Sequence, residues 1–113
     1  MINGAHTIVY SQDADADRAF FRDVLGFPAV DAGGGWLLFA LPPSELAVHP
    51  SDAPSHELFF MCDDLTTTMA ELEAKGVAFD VVTEERWGVL TSMALPGGGR
   101  VALYEPRHPR ANA

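Results

Sequence analysis

Apolar positions along the chain alternate between a period of two and a period near 3.6, and the places where the period changes mark the elements. Ala5 to Tyr10 is short, β-branched and aromatic and runs into the polar group Ser11-Gln12-Asp13, which predicts a strand leading into a helix cap at Asp13. From Ala14 to Leu25, Ala16, Phe20 and Val24 recur four apart with Phe21 and Leu25 one step round, the stripe of an amphipathic helix. Asp15 and Asp17 suit its first turn, and Gly26 and Pro28 stop it. Three β-like runs follow, Phe27 to Ala32, Trp36 to Leu41 and Glu45 to His49, separated by Gly33-Gly34-Gly35 and Pro42-Pro43-Ser44.

After Ser51-Asp-Ala-Pro-Ser55, a small polar linker, the order restarts. Leu58 to Cys62 reads as a strand and Asp63-Asp64 as a cap. Leu65, Met69 and Leu72 form a helix stripe ended by Lys75-Gly76. Val77 to Val82, Leu90 to Leu95 and Val101 to Tyr104 read as strands, the last two joined by the turn Pro96-Gly97-Gly98-Gly99. The order β-α-β-β-β is thus written twice, over 2–50 and 56–106. Leu25-Gly26-Phe27 answers Lys75-Gly76-Val77, and Ala47-Val48-His49-Pro50 answers Leu103-Tyr104-Glu105-Pro106. Either unit alone is too small to bury a core, so the pair is expected to form one domain over 1–113, by packing together or with a second subunit as a homodimer.

Composition narrows the partners. Sixteen acidic against seven basic residues leave a net charge of −9, which repels phosphate backbones and anionic lipid surfaces, so neither nucleic acid nor membrane is expected. The longest apolar runs, Trp36 to Leu41 and Leu58 to Cys62, fall far short of the roughly 18 residues that cross a bilayer. The N-terminus shows no basic patch with an apolar stretch behind it, and Cys62 is the single cysteine, so a cytoplasmic protein is the expectation. Cys62 sits in an apolar run without a neighbouring base and reads as a small hydrophobe.

With Asp13 followed by Arg18-Ala-Phe-Phe-Arg-Asp-Val-Leu-Gly-Phe27, and Cys62-Asp-Asp-Leu65 followed by Ala70-Glu-Leu-Glu-Ala-Lys-Gly-Val77 and Leu95-Pro-Gly-Gly-Gly-Arg100, the chain resembles the vicinal oxygen chelate superfamily. That grouping holds the glyoxalase, bleomycin-resistance and extradiol-dioxygenase proteins. The resemblance implies an α+β fold in which tandem β-α-β-β-β modules form a cup-shaped, curved mixed sheet. It does not fix the reaction. A small-molecule ligand is implied, held with no cofactor or with a divalent metal ion such as Zn, Ni, Mn or Fe.

In the metal-dependent members four His/Glu ligands come from the first and last strand of each module. The resemblance carries the first position to His6. The equivalent in the second module falls on Glu57, or on His56 by counting from Asp63; neighbours on a strand face opposite ways, so one of the two points inward. The last-strand positions fall on Leu46 and Ala102, which bind no metal. His49 and Glu105, three residues further on, face inward only through a bulge.

Glu57, if partly buried, is a candidate general base. Read without the family, His6 is a satisfied core histidine, Glu57 a solvated strand start, and His49 and Glu105 are rim residues. Tyr10, Trp36, Trp87 and Tyr104 are candidate ligand-contacting residues; core packing for Trp36 and the tyrosines, and surface exposure for Trp87, are the plain alternatives. His108 lies in Arg107-His-Pro-Arg110, read as a frayed tail without a role. Two functions follow: a bleomycin-resistance-type protein that binds a neutral or cationic organic molecule, or a divalent-metal-dependent lyase, isomerase or dioxygenase.

Overall fold

The computed structural model describes residues 6–53 and 55–111. Helix α1 spans Ala14–Ala19, with the Asp13 carboxylate accepting from the Ala16 N–H at 3.1 Å, and a π-helical stretch continues it over Phe20–Val24. Gly26, at φ 73°, closes that helix in a left-handed conformation that suits glycine. Strands β1 (Ala29–Asp31) and β2 (Leu37–Phe39) form an antiparallel hairpin of their own.

A mixed sheet occupies the second half. Strands β3 (Phe59–Met61), β4 (Thr83–Glu85), β5 (Gly88–Ala94) and β6 (Arg100–Pro106) lie in the order β3-β6-β5-β4, with β3 parallel to β6 and the other pairs antiparallel. Helix α2 (Leu65–Glu73) follows β3 and is capped by Asp64, whose carboxylate accepts from the Thr67 N–H at 3.0 Å. The architecture is α+β with mixed sheets and no closed barrel.

The core lies where α1, its π-helical extension and α2 meet the sheet. Phe20, Phe21, Leu65, Val77, Met93, Leu95, Val101 and Leu103 are buried together. The widened turn after α1 turns both Phe20 and Phe21 inward, ring centroids 5.9 Å apart and edge to face. On β6, Val101 and Leu103 enter this core, and the strand's period of two sends Tyr104 to the opposite face.

Several expected elements differ. The described part of the first expected strand, His6 to Tyr10, and the segment Leu46 to His49 are exposed and join no strand ladder among the described residues; Glu45 is half-buried, and Ala5 lies outside the described residues. The run Val77 to Val82 joins the sheet only through a bridge from Phe79 to Met93 and backbone bonds such as Asp80 N–H to Ser92. The ladder is instead continued by Thr83–Glu85, whose charged side chains disguise an exposed edge strand as loop; edge strands commonly carry charge.

Asp17 lies in the first turn of α1, as expected, and is buried there. It is 4% exposed, its Oδ1 accepts the Gly97 N–H at 2.7 Å, and Oδ2 has no hydrogen-bond partner among the described residues. A Cβ on Gly97 would overlap Ser11 Oγ and sit 2.8 Å from Asp17 Oδ2, so only glycine allows this turn to dock on the first helix. This contact, with Gln12 N–H donating to the Gly97 carbonyl at 3.1 Å, ties the two halves across some eighty positions of sequence.

Candidate functional site

The sheet face opposite α2 carries an aromatic cluster. Phe59 and Phe60 are adjacent on β3 and therefore part company: Phe60 packs against Phe27 and Phe21, whereas Phe59 meets Tyr104 at 5.8 Å and Trp87 at 6.5 Å between centroids. Trp87, in the turn between β4 and β5, lies 5.4 Å from Tyr104. All three contacts are edge to face, the geometry that the aromatic quadrupole favours. Tyr104 is buried beneath its neighbours, while Phe59 and Trp87 each keep 37% of their surface in solvent. The result is a firm apolar platform with two rings open to a ligand.

A polar chain leads off its edge. Tyr104 Oη and His108 Nε2 are 3.1 Å apart, and His108 Nδ1 lies 2.8 Å from the Pro109 carbonyl. A carbonyl only accepts, so Nδ1 bears a proton, and the tautomer with its proton there leaves Nε2 to accept from the Tyr104 hydroxyl. Glu45 stands 4.0 Å beyond Nε2, and its other carboxylate oxygen accepts the Ala111 N–H at 2.6 Å. Burial, reinforced by the Glu45 charge, pushes the Tyr104 pKa above that of an ordinary tyrosine, with Arg110 opposing, so the phenol remains a donor.

Of the residues expected to contact a ligand, Trp87 and Tyr104 are brought together. Tyr10 lies elsewhere, on a cleft of about 380 Å³ that it lines with Ser11, Gln12, Gly97, Gly98 and Gly99. Trp36 is exposed and stacks under the Arg18 guanidinium at 4.9 Å, outside the core expected of it without the family. His6, His49 and Glu57 are exposed. Glu105 stays on the helix side of β6, where its carboxylate accepts the Leu65 N–H at 2.9 Å and so caps α2 from outside. Among the described residues no three His, Cys, Asp or Glu side chains are grouped to hold a metal ion, so the ligand set implied by the resemblance does not come together there. Cys62 is half-buried, its thiol 3.6 Å from the Tyr104 carbonyl; burial is the main cause that raises its pKa, a hydrogen bond with Thr68 opposes it, and the charges of Glu105, Asp63 and Asp64 add smaller upward pushes. It stays a protonated thiol at neutral pH.

Phe59, His108 and Glu45 are the site residues that the pattern did not single out. The parity of Phe59 with Met61 on a strand was a usable signal. No local signal could place His108 and Glu45, which meet across more than sixty residues of chain.

No family model matches the chain, and no curated protein sequence matches it. Its fold is that of the glyoxalase/bleomycin-resistance proteins, a likeness carried by solved structures. TnmS3, an antibiotic binding protein from Streptomyces sp. CB03234, superposes with a TM-score of 0.61 at 22% identity over 90% of this chain and 99% of its own. Lactoylglutathione lyase from Agrobacterium tumefaciens gives 0.65 at 19% identity over 90% and 92%. A glyoxalase/bleomycin resistance protein, also from Streptomyces sp. CB03234, gives 0.59 at 23% identity over 85% and 94%. These identities establish a shared fold and leave function to the site. No helix among the described residues is long and apolar enough to cross a membrane.

Proposed function

We propose that the protein binds a small organic molecule, neutral or cationic, on the platform of Phe59, Trp87 and Tyr104, and that it does so without a metal. The observation that carries this reading is the platform itself: a buried tyrosine fixes two half-exposed rings whose apolar faces would otherwise be wasted on water. A planar ligand stacks on Trp87 and Phe59 and reaches the polar edge at His108 and Glu45. The net charge of −9 favours a cation over an anion as ligand. The antibiotic binding of TnmS3 supports the same class of activity on the same fold. In this reading the protein works in the cytoplasm as a homodimer.

Isothermal titration with bleomycin and with a set of neutral and cationic aromatic fragments tests the proposal. Binding by at least one of these compounds that Trp87→Ala weakens about tenfold, the loss typical of an aromatic anchor, supports it. Binding by none of them, or binding indifferent to Trp87→Ala and Phe59→Ala, contradicts it.

A further inference from the structure

We infer that the C-terminal segment 107–111 is a displaceable strap laid over Tyr104, and that His108 holds the place of a flat nitrogen heterocycle, the ligand class that the site beneath it takes. The inference rests on the platform reading and adds what lies under its cover. Tyr104 is buried because three rings surround it: Phe59, Trp87 and His108, the last with its centroid 5.9 Å away and tilted by 36°. Gly88 completes the seat, since a Cβ there would fall 3.0 Å from the Tyr104 ring and 2.6 Å from the Glu105 carbonyl. Phe59 and Trp87 belong to the sheet and its turn. His108 arrives on a segment that follows the last strand and is free of the ladder.

The strap is fastened at its ends by pairs in open water. Arg107 donates to the Glu84 carboxylate at 2.9 Å and to the Glu85 carbonyl at 3.2 Å, and its backbone N–H donates to the Trp87 carbonyl at 2.7 Å. Arg110 reaches the Asp63 carboxylate at 3.2 Å. The Glu84 side chain keeps 72% of its surface in solvent and that of Asp63 99%, so both ion pairs are screened and hold weakly. The middle differs: Glu45, 4.0 Å from His108, keeps only 20%. A segment with loose ends lifts at little cost and leaves a formed site behind.

His108 itself describes the chemistry of that site. It is a flat ring packed against Tyr104 and hydrogen bonded to the phenol through Nε2, with the Glu45 carboxylate beyond that nitrogen. A free heteroaromatic base with a ring nitrogen and an N–H reproduces each feature: a face on the side of Tyr104 that His108 leaves bare, a nitrogen that accepts from the phenol, and an N–H that faces Glu45. A second, fused ring then extends toward the half-exposed Trp87 and Phe59. A ligand with a carboxylate here meets Glu45 as a like charge and is refused. The chain's own histidine is thus a competitor held at high local concentration, and lifting the strap opens the site.

Benzimidazole, a nitrogen heterocycle with one fused ring, is the probe, titrated calorimetrically against the full-length wild type and two full-length variants. His108→Gly empties the place and is expected to bind it at least about tenfold more tightly than the wild type does, a gain that Glu45→Gln in the same background cuts about fivefold. Arg107→Ser/Arg110→Ser loosens the strap without touching the site, and because the acids it unpairs are open to water the fold is retained; an affinity about threefold above wild type is expected. Equal, weaker or absent binding by the folded His108→Gly variant overturns the inference. So does a double variant no tighter than the wild type, and this arm decides by itself if circular dichroism shows His108→Gly unfolded. The platform reading fails separately: a gain in His108→Gly that Trp87→Ala leaves unchanged supports the strap and removes the platform, whereas fragments that bind the wild type at Trp87, with no gain in either variant, keep the platform and overturn the strap.

Discussion

The two halves of the chain read as one order of elements in the sequence, yet among the described residues the first gives a helix and two strands and the second a helix among four strands. In the second half β3, β6, β5 and β4 share a ladder under α2, and the residues that alternate off the core gather into an aromatic platform. In the first half, among the described residues, only β1 and β2 pair, and residues 6–10 and 46–49 remain in solvent. The difference teaches that similar residues acquire a role from their neighbours. Trp36 and Trp87 both reach the surface, yet Trp36 is well exposed with only the Arg18 guanidinium over it, whereas Trp87 is held by two rings of the sheet.

The largest effects should separate the halves by stability. Leu103→Ala removes a side chain from the centre of the buried cluster and is expected to cost about 3 kcal/mol in urea unfolding, whereas Trp36→Ala, a larger truncation, costs no more than about 1 kcal/mol. Equal losses would break the comparison. Next comes the link between halves: Asp17→Ala leaves the buried Gly97 N–H without its acceptor and should cost about 2 kcal/mol, with faster hydrogen exchange at Gln12, whose N–H donates to Gly97. A cost near zero would show the halves held by apolar packing alone.

A smaller effect concerns the phenol. The folded-state pKa of Tyr104 lies above the unfolded value of about 10, so its contribution to stability is complete below that pH and is lost as pH rises through the folded pKa. An alkaline unfolding series should show that loss in the wild type and not in Tyr104→Phe. Near-UV titration of a Tyr10→Phe variant isolates the Tyr104 phenol and should place its ionisation above that of free tyrosine. Removing the hydroxyl itself should cost about 1 kcal/mol, the worth of its bond to His108.

Much of this was legible in the chain. Caps and stops are local, so Asp13, Asp64, Gly26 and Gly76 mark the helices where the structure has them. The closing hairpin is likewise local, since its turn glycines and alternation are contiguous. What escaped was set by distant partners. Glu105 was placed among possible metal ligands, but strand parity delivers it to the α2 N-terminus. Asp17 carries the same charge pattern as Asp15, and only the arrival of Gly97 distinguishes it. His108 gains a role because Tyr104, four residues earlier on β6, points to the face over which the C-terminal segment folds.

The central claim is that ligand binding belongs to the completed sheet of the second half. Its most direct test is a ¹⁵N NMR titration of the indole N–H signals with bleomycin and the aromatic fragments. The account predicts saturable shifts of the Trp87 indole, with the Trp36 indole still. Shifts confined to Trp36, or to the cleft beside Tyr10, would contradict it.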